Sequence, residues 1–228
     1  MGFEEFDEDH VKAEKLQSVF REFVSSFLHG QKKNAGNTCE KLLRNEVSEF
    51  KGGTVGKKPE KFTQETIIEG VLDALGYDTT HDPVKLVKDE RKQPDIELGG
   101  VGDEHVGIVE CKALLRERNS GHALDSLEER YLDTNAFAHY KTNQEMQYLV
   151  GIATDGFDWK LRVKDIKRGE ILPEFEANYS LVDDSDGIHH CYYAARYDEA
   201  KTHWPAIREE LAENFVSNFG SHNLPGDA

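Results

Sequence analysis

The chain has 228 residues, of which 37% are hydrophobic and 32% charged, and its 44 acidic and 28 basic residues give a formal net charge of -16. So acidic a surface repels nucleic acid at long range, which counts against a protein that coats DNA but leaves room for an enzyme with a local basic groove. No apolar run approaches the roughly 18 residues of a membrane helix, and the acidic N-terminal sequence does not resemble a signal peptide. We therefore expect a cytoplasmic protein with no membrane partner.

The hydrophobic pattern divides the chain into helices and strands without an internal repeat. In chain order, it predicts helices at 9–29, 36–50 and 63–76, strands at 84–88, 94–98 and 105–113, a helix at 122–146, strands at 147–154, 157–163 and 188–195, and a helix at 199–219. Thr63 is the predicted N-cap of the third helix and Gly76 its C-cap. This order indicates an α/β or α+β fold rather than a repeating barrel.

Two pairs of neighbouring strands are predicted to form hairpins. The first pairs 94–98 with 105–113 across a longer loop, and the second turns at Asp155-Gly156. The three cysteines of the chain are widely spaced and odd in number, which excludes a disulfide framework and a cysteine-based zinc site.

Charged residues interrupt the first predicted hairpin. Asp95 follows Pro94 in one strand, and Glu110 and Lys112 lie in the apolar second strand. Because strand side chains alternate between faces, Glu110 and Lys112 project from one side and Cys111 from the other, where we expect a helix to cover it. Buried ionic groups are costly unless they are paired or bind metal. The pattern therefore predicts a functional site.

Asp95, Glu110 and Lys112 are of the types that phosphodiester hydrolysis requires. Carboxylate oxygens are the ligands that Mg²⁺ prefers, and the metal polarises the phosphate and lowers the pKa of a bound water. A nearby lysine can orient or deprotonate that water and offset phosphate charge. Non-catalytic interpretations of these residues are an exposed ion pair on an edge strand for Glu110 and Lys112, and a simple turn at Asp95.

The order Pro94-Asp95, Glu110-Cys111-Lys112 and then the hairpin at 151–159 resembles the PD-(D/E)XK, or restriction-endonuclease-like, nuclease superfamily. The similarity covers about residues 60–165 and extends to nuclease domains of type I restriction subunits and type IIG restriction enzymes. We therefore expect a central mixed sheet flanked by helices over 59–228, with 1–58 as an N-terminal helical extension.

The resemblance implies roles for individual residues. Asp95 and Glu110 would be metal ligands for Mg²⁺ or Mn²⁺, and Lys112 the catalytic lysine. It also implies a further acid on the preceding helix. Glu65 and Glu69 both lie near one face of that helix, and Glu65 is favoured because it borders the apolar stripe more closely. The implied activity is cleavage of DNA phosphodiesters, in restriction, defence or phage-related DNA processing.

Basic residues near this pattern are candidates for contact with DNA. Arg116 and Arg118 closely follow the catalytic strand, whereas the basic stretch at 51–61 is better interpreted as a solvated linker. The sequence contains no methyltransferase or helicase motif, so methyltransferase or translocase subunits would be separate chains. The sequence is compatible with either a monomer or a homodimer.

A second interpretation keeps the nuclease fold without catalysis, as a partner-binding subunit or an acidic DNA mimic. The net charge of -16 favours it. Lys112 beside Glu110 argues against it, because a mimic needs no lysine there. RNA as the substrate is a third interpretation, for which the sequence shows no aromatic-rich RNA-binding motif.

Overall fold

The computed structural model describes residues 8–28, 58–81, 94–114, 120–132, 146–181 and 209–225. Its main helices are α1 (Glu8–Leu28), α2 (Pro59–Thr63, a π-helical turn Gln64–Ile68, and Glu69–Ala74), α3 (Ser120–Leu127 with a π-helical turn Glu128–Leu132) and α4 (Glu209–Phe219). Short 3-10 turns lie at Pro173–Phe175 and Ser221–Asn223. Within these ranges, none of the helices is both long and apolar enough to cross a membrane.

Within the described ranges, seven strands form one sheet. They are β1 (Asp78–His81), β2 (Ile96–Gly99), β3 (His105–Cys111), β4 (Tyr148–Thr154), β5 (Asp158–Asp165), β6 (Glu170–Ile171) and β7 (Ala177–Ser180). The order is β1-β2-β3-β4-β5-β6, and β7 also pairs with β5. Only β3 and β4 pair in parallel among the described strands. Because parallel neighbours need a crossover connection, α3 lies in the chain between them.

Helices cover both faces of this sheet. The main core lies on the face of Val109 and Cys111 and includes apolar residues of α1, α2 and α4. A smaller core lies on the face of Val106 and Ile108, where α3 packs. Every residue of β3 is consequently buried. The expected sheet flanked by helices is confirmed, and so is the covered position of Cys111, while the face that carries Glu110 is covered as well.

The N-terminus of α2 differs from the prediction. The helix begins at Pro59, whose fixed φ and missing N–H suit the first helical position. Thr63 is buried within the helix, where its hydroxyl donates to the Pro59 carbonyl (3.0 Å) and accepts from the Leu114 N–H (2.9 Å). Thr63 therefore ties α2 to the segment after β3 instead of capping the helix. Gly76, with φ of 91°, follows the helix end as predicted.

The remaining predictions agree with the structure where it describes them. The first helix, the strands of both predicted hairpins and their antiparallel pairing are confirmed. The predicted elements at 36–50, 84–88 and 188–195 lie outside the described residues, as do residues 133–145 of the helix predicted at 122–146 and residues 199–208 of the helix predicted at 199–219. The sequence pattern does not predict the short strands β1, β6 and β7.

Helix α1 belongs to the main core. Phe20 is fully buried and its ring stacks on that of Phe157 at 5.8 Å, while Phe23 meets the same ring edge-on at 6.1 Å. Phe20→Ala is expected to lower the free energy of unfolding by about 3–5 kcal/mol, as measured by urea denaturation. Val11, which is 48% exposed on the same helix, provides the control, because Val11→Ala should change little. Equal effects of the two substitutions would contradict this packing.

Candidate active site

The strand register places Asp95 beside Glu110. Ile96 pairs with Val109, so the residue before β2 lies opposite Glu110. The Asp95 N–H donates to the Val109 carbonyl (3.2 Å), and the Cys111 N–H donates to Asp95 Oδ2 (2.7 Å). Backbone hydrogen bonds therefore fix the Asp95 carboxylate next to that of Glu110.

Lys112 completes the predicted triad. Its Nζ donates to Glu110 Oε1 (2.9 Å) and to the Cys111 carbonyl oxygen (3.0 Å). Its backbone N–H donates to the Thr154 carbonyl (2.9 Å), which continues the β3–β4 ladder by one residue. The Glu110 side chain is 3% exposed and that of Lys112 22%. Two oxygens thus converge on one ammonium, and this corner is shaped to hold a cation.

Burial controls the charge state of the triad. It raises the pKa of Asp95 and of Glu110, and the charge of Asp95 raises the pKa of Glu110 further. For Lys112, burial lowers the pKa, but Glu110 above all, with other nearby carboxylates, raises it more, so the pKa lies above its usual value. Lys112 therefore remains protonated at neutral pH, and the two carboxylates are more easily protonated than exposed ones.

Helix α2 brings Glu60 to this site. Burial raises the pKa of Glu60, Lys112 lowers it and Asp95 raises it, so Glu60 lies near both groups. Glu65 is on the exposed side of the π-helical turn, and Glu69 lies further along α2. Glu60 is thus an acid of α2 beside Asp95 and Lys112 that the sequence analysis does not name, while the predicted role of Glu65 stays a prediction. Sequence reasoning misses Glu60 because α2 begins four residues before its predicted start.

The π-helical turn of α3 adds two residues that the sequence analysis does not identify. Arg130 Nη1 lies 3.4 Å from Glu110 Oε1, the oxygen that also contacts Lys112. Burial, followed by the charges of Glu110 and Asp95, raises the pKa of Tyr131 well above its usual value. Nothing in the sequence separates Arg130 from other basic residues, because its approach to Glu110 depends on tertiary packing.

Part of the basic stretch also lies beside the site. Lys58 lowers the pKa of Glu60, and Lys61 lowers that of Asp95. The sequence pattern assigns both lysines to a solvated linker, whereas Lys61 lies in α2 and the exposed Lys58 directly precedes the helix. Arg116 and Arg118, the predicted DNA contacts, lie outside the described residues.

The donor set of the triad fits a hard divalent cation. Asp95 and Glu110 offer carboxylate oxygens, and the carbonyl of Cys111 faces the same corner. In the described part of the chain, no three His, Cys, Asp or Glu side chains are arranged to hold a metal. Mg²⁺ commonly binds through only one or two carboxylates and keeps several waters. A pair of carboxylates with a backbone oxygen therefore suits it.

Comparisons with known proteins identify no relative, since no family model, no characterised protein and no solved structure matches the chain. The function has to be inferred from the site itself.

A further carboxylate, Asp155, is buried at the turn between β4 and β5. Its Oδ1 accepts from the N–H groups of Phe157 (3.1 Å) and Asp158 (2.9 Å), whereas Oδ2 has no hydrogen-bond partner among the described residues. Burial raises the pKa of Asp155 to about 6. Because the folded pKa exceeds the unfolded one, the charged group costs stability at neutral pH, and that cost is relieved as the pH falls through 6 toward 4.

Asp155→Asn is expected to stabilise the protein at pH 7.5 by at most roughly 3 kcal/mol, with a smaller gain at pH 4.5. The amide oxygen can accept the same two N–H groups, and no buried charge remains. Urea denaturation at both pH values measures the difference from the wild type, and the exposed Glu174→Gln serves as a control. A variant that is less stable than the wild type at pH 7.5 would contradict this account.

Proposed function

We propose that this chain is a metal-dependent endonuclease of the PD-(D/E)XK kind, which hydrolyses DNA phosphodiester bonds. One observation carries the proposal. Asp95 and Glu110 lie side by side at the end of β3, and Lys112 Nζ is 2.9 Å from Glu110 Oε1. The resemblance over about residues 60–165 supports the same conclusion. The restriction-endonuclease-like fold is part of this proposal.

The residues of the site divide the work. Asp95, Glu110 and the Cys111 carbonyl would hold Mg²⁺ or Mn²⁺, which when bound polarises the phosphate and supplies an acidified water. Lys112 keeps its proton at neutral pH because the surrounding carboxylates raise its pKa. Beside the carboxylates it would orient the water and offset phosphate charge. Glu60, which interacts electrostatically with Lys112 and Asp95, adds a further carboxylate that would accept a proton at this site.

The charge distribution explains how so acidic a chain could bind DNA. The net charge is -16, so a polyanion can approach only where basic residues make the local surface positive. Lys58, Lys61, Lys112 and Arg130 all act on the carboxylates of this site. These four basic residues around the carboxylates would form that positive region.

The purified chain is expected to cut plasmid DNA in the presence of Mg²⁺ or Mn²⁺ and to be inactive in EDTA. Supercoiled and linear DNA are compared across a salt series by gel electrophoresis, because ionic strength affects both the general repulsion and the local attraction. A folded sample that binds neither metal and cuts no DNA under any of these conditions would overturn the proposal.

The alternative is a nuclease-fold module that binds a partner, or mimics DNA, without catalysis. The net charge of -16 favours this candidate. It requires tight binding to a DNA-binding protein, with no change in thermal stability on addition of Mg²⁺. Thermal stabilisation by Mg²⁺ together with cleavage would exclude it.

A further inference from the structure

The π-helical turn of α3 holds Arg130 at the edge of the site from a rigid support. Tyr131 and Leu132, which follow Arg130, are both buried in the smaller core. On the other side, Glu128 forms an ion pair with Arg162 of β5 (3.7 Å). The backbone around Arg130 is therefore anchored on both sides.

The end of this turn is fixed to the sheet as well. The ammonium of Lys164 on β5 donates a hydrogen bond to the carbonyl oxygen of Leu132. The carbonyl groups at the end of a helix have no partner within it, so a lysine here stabilises the turn. π-Helical turns occur frequently at functional sites, and this one carries a single arginine toward Glu110.

The Arg130 side chain differs from Lys112 in its access to solvent. The Arg130 side chain is 50% exposed, whereas that of Lys112 is 22% exposed and that of Glu110 3%. Lys112 contacts Glu110 Oε1 at 2.9 Å and Arg130 contacts the same oxygen at the longer distance of 3.4 Å. Arg130 thus contacts Glu110 at a longer distance than Lys112 does, also hydrogen-bonds Tyr131, and is accessible from the solvent side.

Binding of a divalent cation would change the balance between these charges. Glu110 would share its negative charge with the metal, and Arg130 would lose much of its attraction to that carboxylate. A guanidinium presents planar, paired N–H donors that match the oxygens of a phosphate. Its position beside the carboxylates is where a phosphodiester drawn to that metal would arrive.

We propose that Arg130 is a phosphate-binding residue. Its side chain moves away from Glu110 and contacts a non-bridging oxygen of the DNA phosphate that binds at the Asp95–Glu110 pair. This inference rests on the proposed nuclease function and adds a second, solvent-side cation to Lys112. The competing role is purely structural, in which Arg130 only compensates the charge of Glu110.

The test measures DNA binding separately from cleavage. Binding of a short duplex is measured in Ca²⁺, which takes the same oxygen ligands as Mg²⁺, over a salt series for the wild type, Arg130→Ala and Arg130→Lys. Loss of one phosphate contact is expected to reduce the slope of log Kd against log salt concentration by about 0.9. Arg130→Lys should retain most of the slope, because a point charge still binds phosphate.

Cleavage in Mg²⁺ is the second readout. Arg130→Ala is expected to lower kcat by about 100-fold, the usual effect of removing one transition-state donor. Arg168→Ala is the matched control, because Arg168 is 73% exposed and pairs with Asp165 in the turn after β5. This control should change neither the salt slope nor kcat.

The outcomes separate the two proposals. An unchanged salt slope and wild-type kcat in Arg130→Ala would overturn the role of Arg130 while leaving the nuclease intact. A wild type that binds DNA with the expected slope difference but never cuts it would overturn catalysis and retain Arg130 as a phosphate contact. Absence of any DNA binding by the wild type would overturn both.

Discussion

Lys112→Ala is expected to reduce metal-dependent DNA cleavage by about 10²–10⁴-fold, as for removal of a group that acts directly on the reacting water. The Lys112 ammonium lies 2.9 Å from Glu110 Oε1 and 3.0 Å from the Cys111 carbonyl. Its removal takes away the half-buried cation that would orient the water and offset phosphate charge. Arg130, at 3.4 Å from Glu110, is exposed to solvent and cannot replace it.

Two further variants make this result specific. Lys112→Arg keeps the positive charge, but its planar guanidinium cannot place one donor at the position of Nζ between Glu110 and the Cys111 carbonyl in the same geometry, so it should not restore the rate. Lys167→Ala, in the exposed turn after β5, should cleave like the wild type. Cleavage by Lys112→Ala at the wild-type rate, in a sample with unchanged circular dichroism, would place the activity outside this site or outside this protein.

The position of the triad can be predicted from the sequence because the prediction depends only on local patterns. Alternation of side chains along β3 places Glu110 and Lys112 on one side and Cys111 on the other. The apolar neighbours of Glu110 predict a buried strand, and Pro94-Asp95 predicts the start of its hairpin partner. Each of these inferences spans a few residues, and the antiparallel pairing of β2 with β3 confirms the predicted hairpin.

Glu60 and Arg130 could not be predicted in this way. The choice between Glu60 and Glu65 depends on where α2 begins, and the proline that starts it lies before the apolar pattern of the helix. Arg130 reaches Glu110 only because α3 packs across β3, β4 and β5 and ends in a π-helical turn. No local pattern encodes such a crossing, since it is decided by the packing of the smaller core.

The packing of α1 illustrates the same limit. The sequence predicts an N-terminal helical extension over residues 1–58 and a nuclease-like domain over 59–228. Yet Leu16 and Phe20 of α1 are fully buried in the main core together with Trp159 and Phe215. A periodic apolar face shows that a helix is covered, but it does not show by what.

Asp95→Asn is expected to abolish both cleavage and stabilisation by Mg²⁺, while leaving the metal-free protein at least as stable as the wild type. An Mg²⁺ concentration of 100 times Kd should stabilise the wild type by about 2.7 kcal/mol, since only the folded state forms the site. The variant loses this gain because a neutral amide is a poor ligand beside Glu110. Its amide oxygen can still accept the Cys111 N–H that Asp95 accepts at 2.7 Å.

The stability of the metal-free variant follows from the sign of the pKa change. Burial raises the pKa of Asp95, so its charged form costs stability above the unfolded pKa, and a neutral amide removes that cost. Thermal denaturation in EDTA and in Mg²⁺ measures both effects, with Asp103→Asn in the exposed β2–β3 loop as the control. An Asp95→Asn protein that Mg²⁺ still stabilises would show that Asp95 is not a ligand. A functional carboxylate of this kind is expected to cost stability. An Asp95→Asn protein that is strongly destabilised in EDTA would therefore show that Asp95 stabilises the fold instead.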